Sequence, residues 1–299
     1  MKYWAGMLWG SVMLLIGCGS PSAELDNQVK PLVAVSIAPY KYFVNQLAGD
    51  LVDVVVIVPD GADPHHYEVS AKQMQRVTAA RLWVRLGEAF ESKVDRMMQS
   101  CHYRPVLADI RDIWPHDHSH EHEGCCNCHL VDRHFWMSPK RASRQAELIA
   151  EGLIEAFPEH SVRFRRKLRL FKEELAKLTE ELESQLNAHQ GECLLVSHPA
   201  LGHFCEDFGL SQISLEIEGK QATSQQLARL MHDIQVNNVR LIFTQLQHNP
   251  AGAEWMGSKL GIPVKMINPY RADYVEMLKD LARQICEHSP SDSSLEQRQ

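Results

Sequence analysis

At 299 residues the chain can bury a large core and exceeds the roughly 250 residues at which one core stops growing, so two lobes are expected rather than one. Its 44% hydrophobic and 23% charged content is ordinary for a soluble protein, and a formal charge of -7 supplies no basic footprint for gripping phosphates, which argues against nucleic acid as a partner. The unusual count is 16 histidines, whose imidazoles are largely uncharged at neutral pH and open to a transition metal.

The first residues read MKYWAGMLWGSVMLLIGCGSPS. Lys2 is a weak basic start, Ala5 to Ile16 an apolar run, and Gly17 a small residue of the kind that precedes processing. The run is shorter than the roughly 20 residues that cross a bilayer, so it reads as a secretory signal. Leu15, Ile16, Gly17 and Cys18 resemble the lipobox of bacterial lipoproteins, in which the cysteine is acylated and becomes the first mature residue. Residues 1–18 are therefore expected to be a lipoprotein-type signal peptide and 19–30 a tether, small, polar and unpatterned. Export implies an oxidising compartment. Besides Cys18 there are Cys101, Cys125, Cys126, Cys128, Cys193, Cys205 and Cys286, an odd number, so at least one thiol is free, metal-bound or paired between chains.

Beyond the tether, PLVAVSIAP is a short apolar strand stopped by proline, and Tyr40, Phe43, Val44 and Leu47 then recur at helical spacing until Gly49. LVDVVVIV, Leu51 to Val58, predicts a buried strand followed by a Gly and Pro loop. Ser70 then caps a helix that turns Met74 and Val77 inward, and RLWVRLG is another strand. Ser138 before Pro139 marks a helix start, with Ala146, Ile149, Ala150, Leu153, Ile154 and Phe157 as its apolar stripe. From 159 to 190, Phe164, Leu168, Phe171, Leu175, Leu178, Leu182 and Leu186 step by three and four through Lys, Arg and Glu. That pattern fits a coiled coil or, as favoured here, one long helix lying across two lobes. Strands and helices then alternate again: CLLVS, ISLEI, a helix with Leu227, Leu230, Met231 and Ile234, VRLIFTQ, a helix near Ala251 to Leu260, VKMIN, and a closing helix from Tyr274 to Ile285. The expected fold is α/β, with two lobes of mainly parallel sheet, 31–158 and 191–288, joined by a rigid helix over 159–190, and 289–299 as a tail without structure.

In open parallel sheets ligands collect beyond the carboxyl ends of the strands, which singles out three histidines. His65 lies in PDGADPHHYE after the strand ending at Val58, where Gly61 and Pro64 impose a turn. His198 lies in LLVSHPALGHF, where Pro199 holds it extended at the end of a strand. His134, in VDRHFWMSP, sits in a loop four residues before the cap at Ser138. A single histidine of this kind is more often a cap or a surface group; two from one lobe and one from the other fit a cleft between lobes.

GADPHHYE, DRHFW, LLVSHPALGHFCEDFGL and the long charged central helix resemble the zinc and manganese substrate-binding proteins of bacterial ABC importers, the TroA-like and ZnuA-like group, over about residues 31 to 288. The resemblance implies a metal receptor without enzymatic activity whose ligands are His65 rather than His66, His134 and His198. It also implies two partners, a permease in the inner membrane and, through it, a cytoplasmic ATPase; the signal and lipobox add an expected lipid-anchored, periplasmic or cell-surface location, and a monomer is expected. The family's fourth ligand position, often aspartate after a late strand, holds Asn268 here. Manganese favours hard oxygen donors, whereas three neutral imidazoles suit tetrahedral Zn2+ with water or a weak oxygen donor completing the shell, so zinc is expected over manganese or iron. Asn268 is then a weak ligand, a hydrogen-bond partner of bound water, or a sign that another side chain completes the site; Asp273 and Glu218 are lower-ranked substitutes.

The stretch WPHDHSHEHEGCCNCHLVDRH occupies the place where zinc-type members of that family carry a histidine-rich, acidic loop, here 115–129. His116, His118, His120, His122 and His129 are expected to gather zinc loosely near the cleft, because ordering a patternless run around one ion costs roughly 1–2 kcal/mol per residue. Cys125, Cys126 and Cys128 are either further ligands or oxidised to disulfides, and the plainer alternative is a solvated loop with incidental metal affinity. Two rival functions differ in class. A zinc hydrolase with a three-histidine site lacks an HExxH helix and offers no general base beyond Glu68 near these motifs, and a surface adhesion lipoprotein would bind its partner without zinc.

Overall fold

The computed structural model of the chain describes residue 1 and residues 30–100, 105–110, 132–217, 220–221 and 224–288. The signal peptide with Cys18, the tether up to residue 29, Cys101, the stretch holding His116, His118, His120, His122 and His129, Glu218 and the tail all lie outside the described residues.

The first sheet is built by β1 (Leu32–Val35), β2 (Asp53–Val56), β3 (Leu82–Arg85) and β4 (Val106–Asp109), in the order β2-β1-β3-β4 and parallel throughout. Val33, Ala34 and Val35 of the central strand are fully buried, as a strand covered on both faces requires. Its helices are α1 (Ala38–Ala48), α2 (Ala71–Val77) and α3 (Ala89–Ser100). The predicted start of α2 takes the form of a capping box, in which Ser70 and Gln73 satisfy each other's backbone N–H. Gly49 ends α1 at φ +61°, a backbone conformation that glycine adopts without steric cost.

Next come α4 (Pro139–Ala156) and α5 (Ser161–Leu186), the latter 26 residues and about 39 Å long at 1.5 Å per residue. The stripe on α5 is buried as its spacing predicts: Phe164, Phe171, Leu175, Leu178, Leu182 and Leu186 join one core that also holds Val33 of the first sheet and Val196 of the second. The helix packs on α1 and α4 and on the closing helix α9 (Tyr274–Glu287). It is a shared spine: separating the lobes would expose a seam of side chains each worth about 2–5 kcal/mol when a leucine is cut to alanine.

The second sheet contains β5 (Cys193–Val196), β6 (Ser211–Ser214), β9 (Ile242–Gln245) and β10 (Val264–Ile267), in the order β10-β9-β5-β6 and again parallel. Between β6 and β9 lie the two-stranded antiparallel β7 (Glu216–Ile217) and β8 (Lys220–Gln221). The connecting helices are α6 (Gly202–Phe208), α7 (Ser224–Val236) and α8 (Ala251–Leu260). No helix among the described residues is long and apolar enough to cross a membrane.

Two details differ from the pattern reading. ISLEI is not one strand: β6 stops at Ser214 and Glu216 opens the small antiparallel pair, so its carboxylate is turned out of the sheet register. The sequence pattern also gave no sign of α3 or β4. The edge strand β4 leaves Leu107 46% exposed, and α3 buries a glutamate, Glu91, among its apolar positions, so neither carries a clean stripe.

Candidate metal centre

The carboxyl ends of both sheets face one cleft, and the side chains that matter follow those ends. His65 comes after β2 in a short turn, Pro64–His66, whose first residue is preset by proline and whose N-terminus is capped by Asp63: Oδ1 accepts the His65 N–H at 2.9 Å. Asp132 plays the same part for His134, accepting its backbone N–H at 2.9 Å, while the turn Phe135–Met137 leads into the Ser138 cap of α4. His198 lies two residues beyond β5, its carbonyl held by Gln245 Nε2 at 2.8 Å.

These turns bring together three imidazoles that are separated by up to 133 positions. The donor atoms of His65, His134 and His198 all lie within 4.8 Å of one another, and the ring centroids are 4.9, 5.3 and 5.5 Å apart. His65 Nε2 and His198 Nε2 stand 3.2 Å apart. Two nitrogens sharing a tetrahedral zinc at about 2.0–2.1 Å are about 3.3–3.4 Å from each other, so the spacing is that of ligands rather than of packed rings.

The other nitrogen of each ring is held by a carboxylate. Glu88, after β3, meets His65 Nδ1 at 3.0 Å; Asp132 meets His134 Nδ1 at 2.7 Å; Glu216 meets His198 Nδ1 at 2.9 Å. Each carboxylate accepts a hydrogen bond from Nδ1–H, which leaves the Nε2 lone pair of each ring available to an ion. Burial disfavours charge on Asp132 and Glu216, yet the bonds and charges of His134 and of His198 with His248 outweigh it and hold both carboxyls at about 2. Glu88 is lowered in the same way, against its burial, by His65. Among the histidines, burial pulls His65 down but the Glu88 bond and charge prevail and raise it; for His198 burial prevails over Glu216 and lowers it. The site can thus hold a soft-to-borderline divalent cation by three neutral nitrogens, with a net negative surround to offset its charge.

Asn268, after β10, has both polar atoms of its amide engaged. Oδ1 accepts from Gln247 Nε2 at 2.8 Å and from the Tyr270 N–H at 3.0 Å, while Nδ2 donates to Asp60 Oδ1 at 3.2 Å on the opposite lobe. It clasps the lobes and positions Tyr270, whose buried hydroxyl lies 3.4 Å from His134 Nε2. His66 points away from the triad's chemistry, 81% exposed and bonded to Asp63. Asp273 is paired with Arg271, and Glu68, the sole base the hydrolase reading offered, is 81% exposed and paired with Lys93 at 2.9 Å.

Residues 33–288 match the family model described as zinc-uptake complex component A, periplasmic, or ZnuA. The chain belongs to the ZnuA family. A putative metal-binding protein of Chlamydia trachomatis serovar D is 30% identical over 273 residues, which is 90% of this chain and 96% of that protein. The high-affinity zinc uptake system protein ZnuA of Yersinia pestis is 26% identical over 294 residues, 86% of this chain and 91% of that one. A crystal structure of ZnuA superposes with a TM-score of 0.76 at 29% identity, covering 87% of this chain and 99% of its own. The two parallel sheets and the long joining helix expected from the sequence are those of this family, whose members are substrate-binding proteins.

Sequence reasoning missed Glu88, Glu216, His248 and Tyr270. Glu88 and His248 follow predicted strand ends, so a search just beyond those ends for carboxylates as well as histidines would have found them; Glu216 lay inside the predicted strand ISLEI and Tyr270 in the turn after Asn268, where that search does not reach.

Proposed function

We propose that the protein is an extracytoplasmic receptor that captures zinc in the cleft and hands it to an ABC-type importer, a permease in the inner membrane driven by a cytoplasmic ATPase. One observation carries this reading: ring nitrogens of three histidines from both lobes converge within 4.8 Å while a separate carboxylate holds each Nδ1. His65, His134 and His198 are the ligands, and water or another oxygen donor beside the Tyr270 hydroxyl completes the shell. Asn268 acts beside the site rather than on the ion, since its amide is already engaged. Zinc is favoured over manganese because, among the described residues, no carboxylate joins the three imidazoles as a direct donor.

Cys18 carries the lipid anchor in this reading, and His116, His118, His120, His122 and His129 gather zinc for the cleft; all six lie outside the described residues. The chain divides into lobes at 31–158 and 191–288 with the helix of 159–190 as a spine, and release proceeds by small rearrangements around His134 instead of wide hinge motion. The test is metal analysis of the purified chain beside two variants. A His65, His134 and His198 triple alanine variant should lose one tightly held zinc, and deletion of Pro115 to Cys128 should keep it. Tight zinc surviving in the triple variant, or lost in the deletion, would overturn the assignment.

A further inference from the structure

Among the described residues, a second cluster of metal-binding side chains adjoins the triad: His198, Glu216 and His248 each offer a donor atom within 4.8 Å of the others. His248 follows β9, and its ring stacks on that of His198 with centroids 4.6 Å apart and planes 13° from parallel. Glu216 serves both rings. Its Oε2 is 2.9 Å from His198 Nδ1, and its Oε1 is 3.5 Å from His248 Nδ1.

The two halves of this cluster differ in what they can do for an ion. Glu216 Oε1 and His248 Nδ1 are separated by close to the 3.3–3.4 Å or so expected of two donors on one tetrahedral zinc. His198 does not complete that set, because one ion cannot lie in the planes of two stacked rings at once, and its Nδ1 proton is committed to Oε2 of the same carboxylate. Two protein donors leave the remaining corners to water, so an ion here keeps part of its hydration and exchanges quickly.

The surroundings suit a half-hydrated cation. The side chains of His248 and Glu216 are 13% and 26% exposed, open to solvent on one side and against His198 on the other. Ser197 Oγ, Thr244 Oγ1, Gln245 Oε1 and Gln247 Oε1, all from the ends of β5 and β9, are buried oxygens with no protein partner among the described residues. Such atoms in folded proteins are normally satisfied by water, and water is what an incoming ion must shed. Asp63, on the opposite lobe, is held below the usual carboxylate range in spite of its burial, chiefly by its bond with the exposed His66 and least by the charge of His248.

We propose that Glu216 Oε1 and His248 Nδ1 form a second, weak cation site on the outer side of His198, through which zinc passes into and out of the triad. The proposal rests on the triad being the tight zinc site. It is tested in the full chain by stopped-flow zinc uptake from a fluorescent chelator, release to excess EDTA, and equilibrium affinity. His248→Phe keeps the ring stack and removes the donor, while His248→Gln keeps a hydrogen-bond donor for Glu216. Both should slow uptake and release by the same factor, about three- to tenfold, because a waypoint lowers the barrier in both directions. Affinity should stay within about twofold, since an intermediate stop does not alter the end states. Faster release with weaker affinity in both variants would mean that His248 only positions His198 and would overturn the proposal, as would unchanged rates. Failure of the receptor reading looks different: the natural chain would then hold no tight zinc at all.

Discussion

The two sheets end on one cleft but equip it unequally. On the first-sheet side each triad histidine has a carboxylate of its own, Glu88 for His65 and Asp132 for His134, and both of those acids are engaged close by their histidines. On the second-sheet side one carboxylate, Glu216, is divided between His198 and His248. Four of the five buried side-chain oxygens without a protein partner among the described residues also belong to that side, Tyr274 being the exception. The first side is a fixed seat, satisfied by protein alone; the second is a wetter face with alternatives, suited to exchanging an ion rather than fixing it.

The sharpest way to break this contrast is to neutralise one acid on each side. Asp132→Asn should weaken zinc binding by about 10–100-fold, the usual cost of losing the partner that orients a metal-bound imidazole. Glu216→Gln should fall in the same range and in addition slow exchange, since it also strips the second donor pair. Chelator competition measures the affinities; an Asp132→Asn variant of unchanged affinity, or a Glu216→Gln variant of unchanged exchange rate, would remove the distinction between the sides.

Acid should probe the same contrast more gently. A protonated imidazole has no lone pair to donate, so each ligand that takes up a proton costs about tenfold in affinity per pH unit below its pKa. His65, raised above the ordinary value near 6.5 by the Glu88 bond and charge in spite of burial, takes up its proton before His198, which burial lowers. Affinity should therefore drop from pH 7 to pH 5, beginning on the first-sheet side. Carbon-detected titration of the histidines in the metal-free protein should find His65 above and His198 below 6.5 or so. Affinity flat across that interval, or the reverse order, would contradict the assignment.

How much of this was legible in the sequence follows from the range of each interaction. The stripe of Phe171, Leu175, Leu178 and Leu182 is local and periodic, so the long helix was legible, while its role as a spine between lobes had to be chosen over a coiled coil. His65 and His198 were visible because Pro64 and Pro199 mark where strands give way to turns. The pairing of His198 with Glu216 across 18 positions, or of His65 with Glu88 across 23, has no local signature, because a hydrogen bond between strand ends depends on which strands neighbour each other. The break of ISLEI at Leu215 was equally hidden: alternation predicted a continuous strand, and only the hairpin of β7 and β8 turns Glu216 toward His198.

Asn268 gives the smallest of the expected effects and the one that tests the clasp between the two sides. Its Nδ2 donates to Asp60 across the cleft, and its Oδ1 holds Gln247 and the Tyr270 N–H. Asn268→Asp keeps both accepted bonds but sets a carboxylate against Asp60 where a hydrogen bond had been. With Asn268 half-buried and Asp60 exposed, the loss should be about 1 kcal/mol of stability, the net worth of one hydrogen bond plus a screened repulsion. Asp60→Asn in the same chain should restore the stability, since an amide at 60 can donate to the new acid. Chemical denaturation of the two single variants and the double variant gives the coupling, and zinc affinity should stay within a few fold throughout. If Asn268→Asp instead tightened manganese binding strongly while leaving stability intact, residue 268 would be reaching the ion itself, and the second-sheet side would contribute a ligand as firmly as the first.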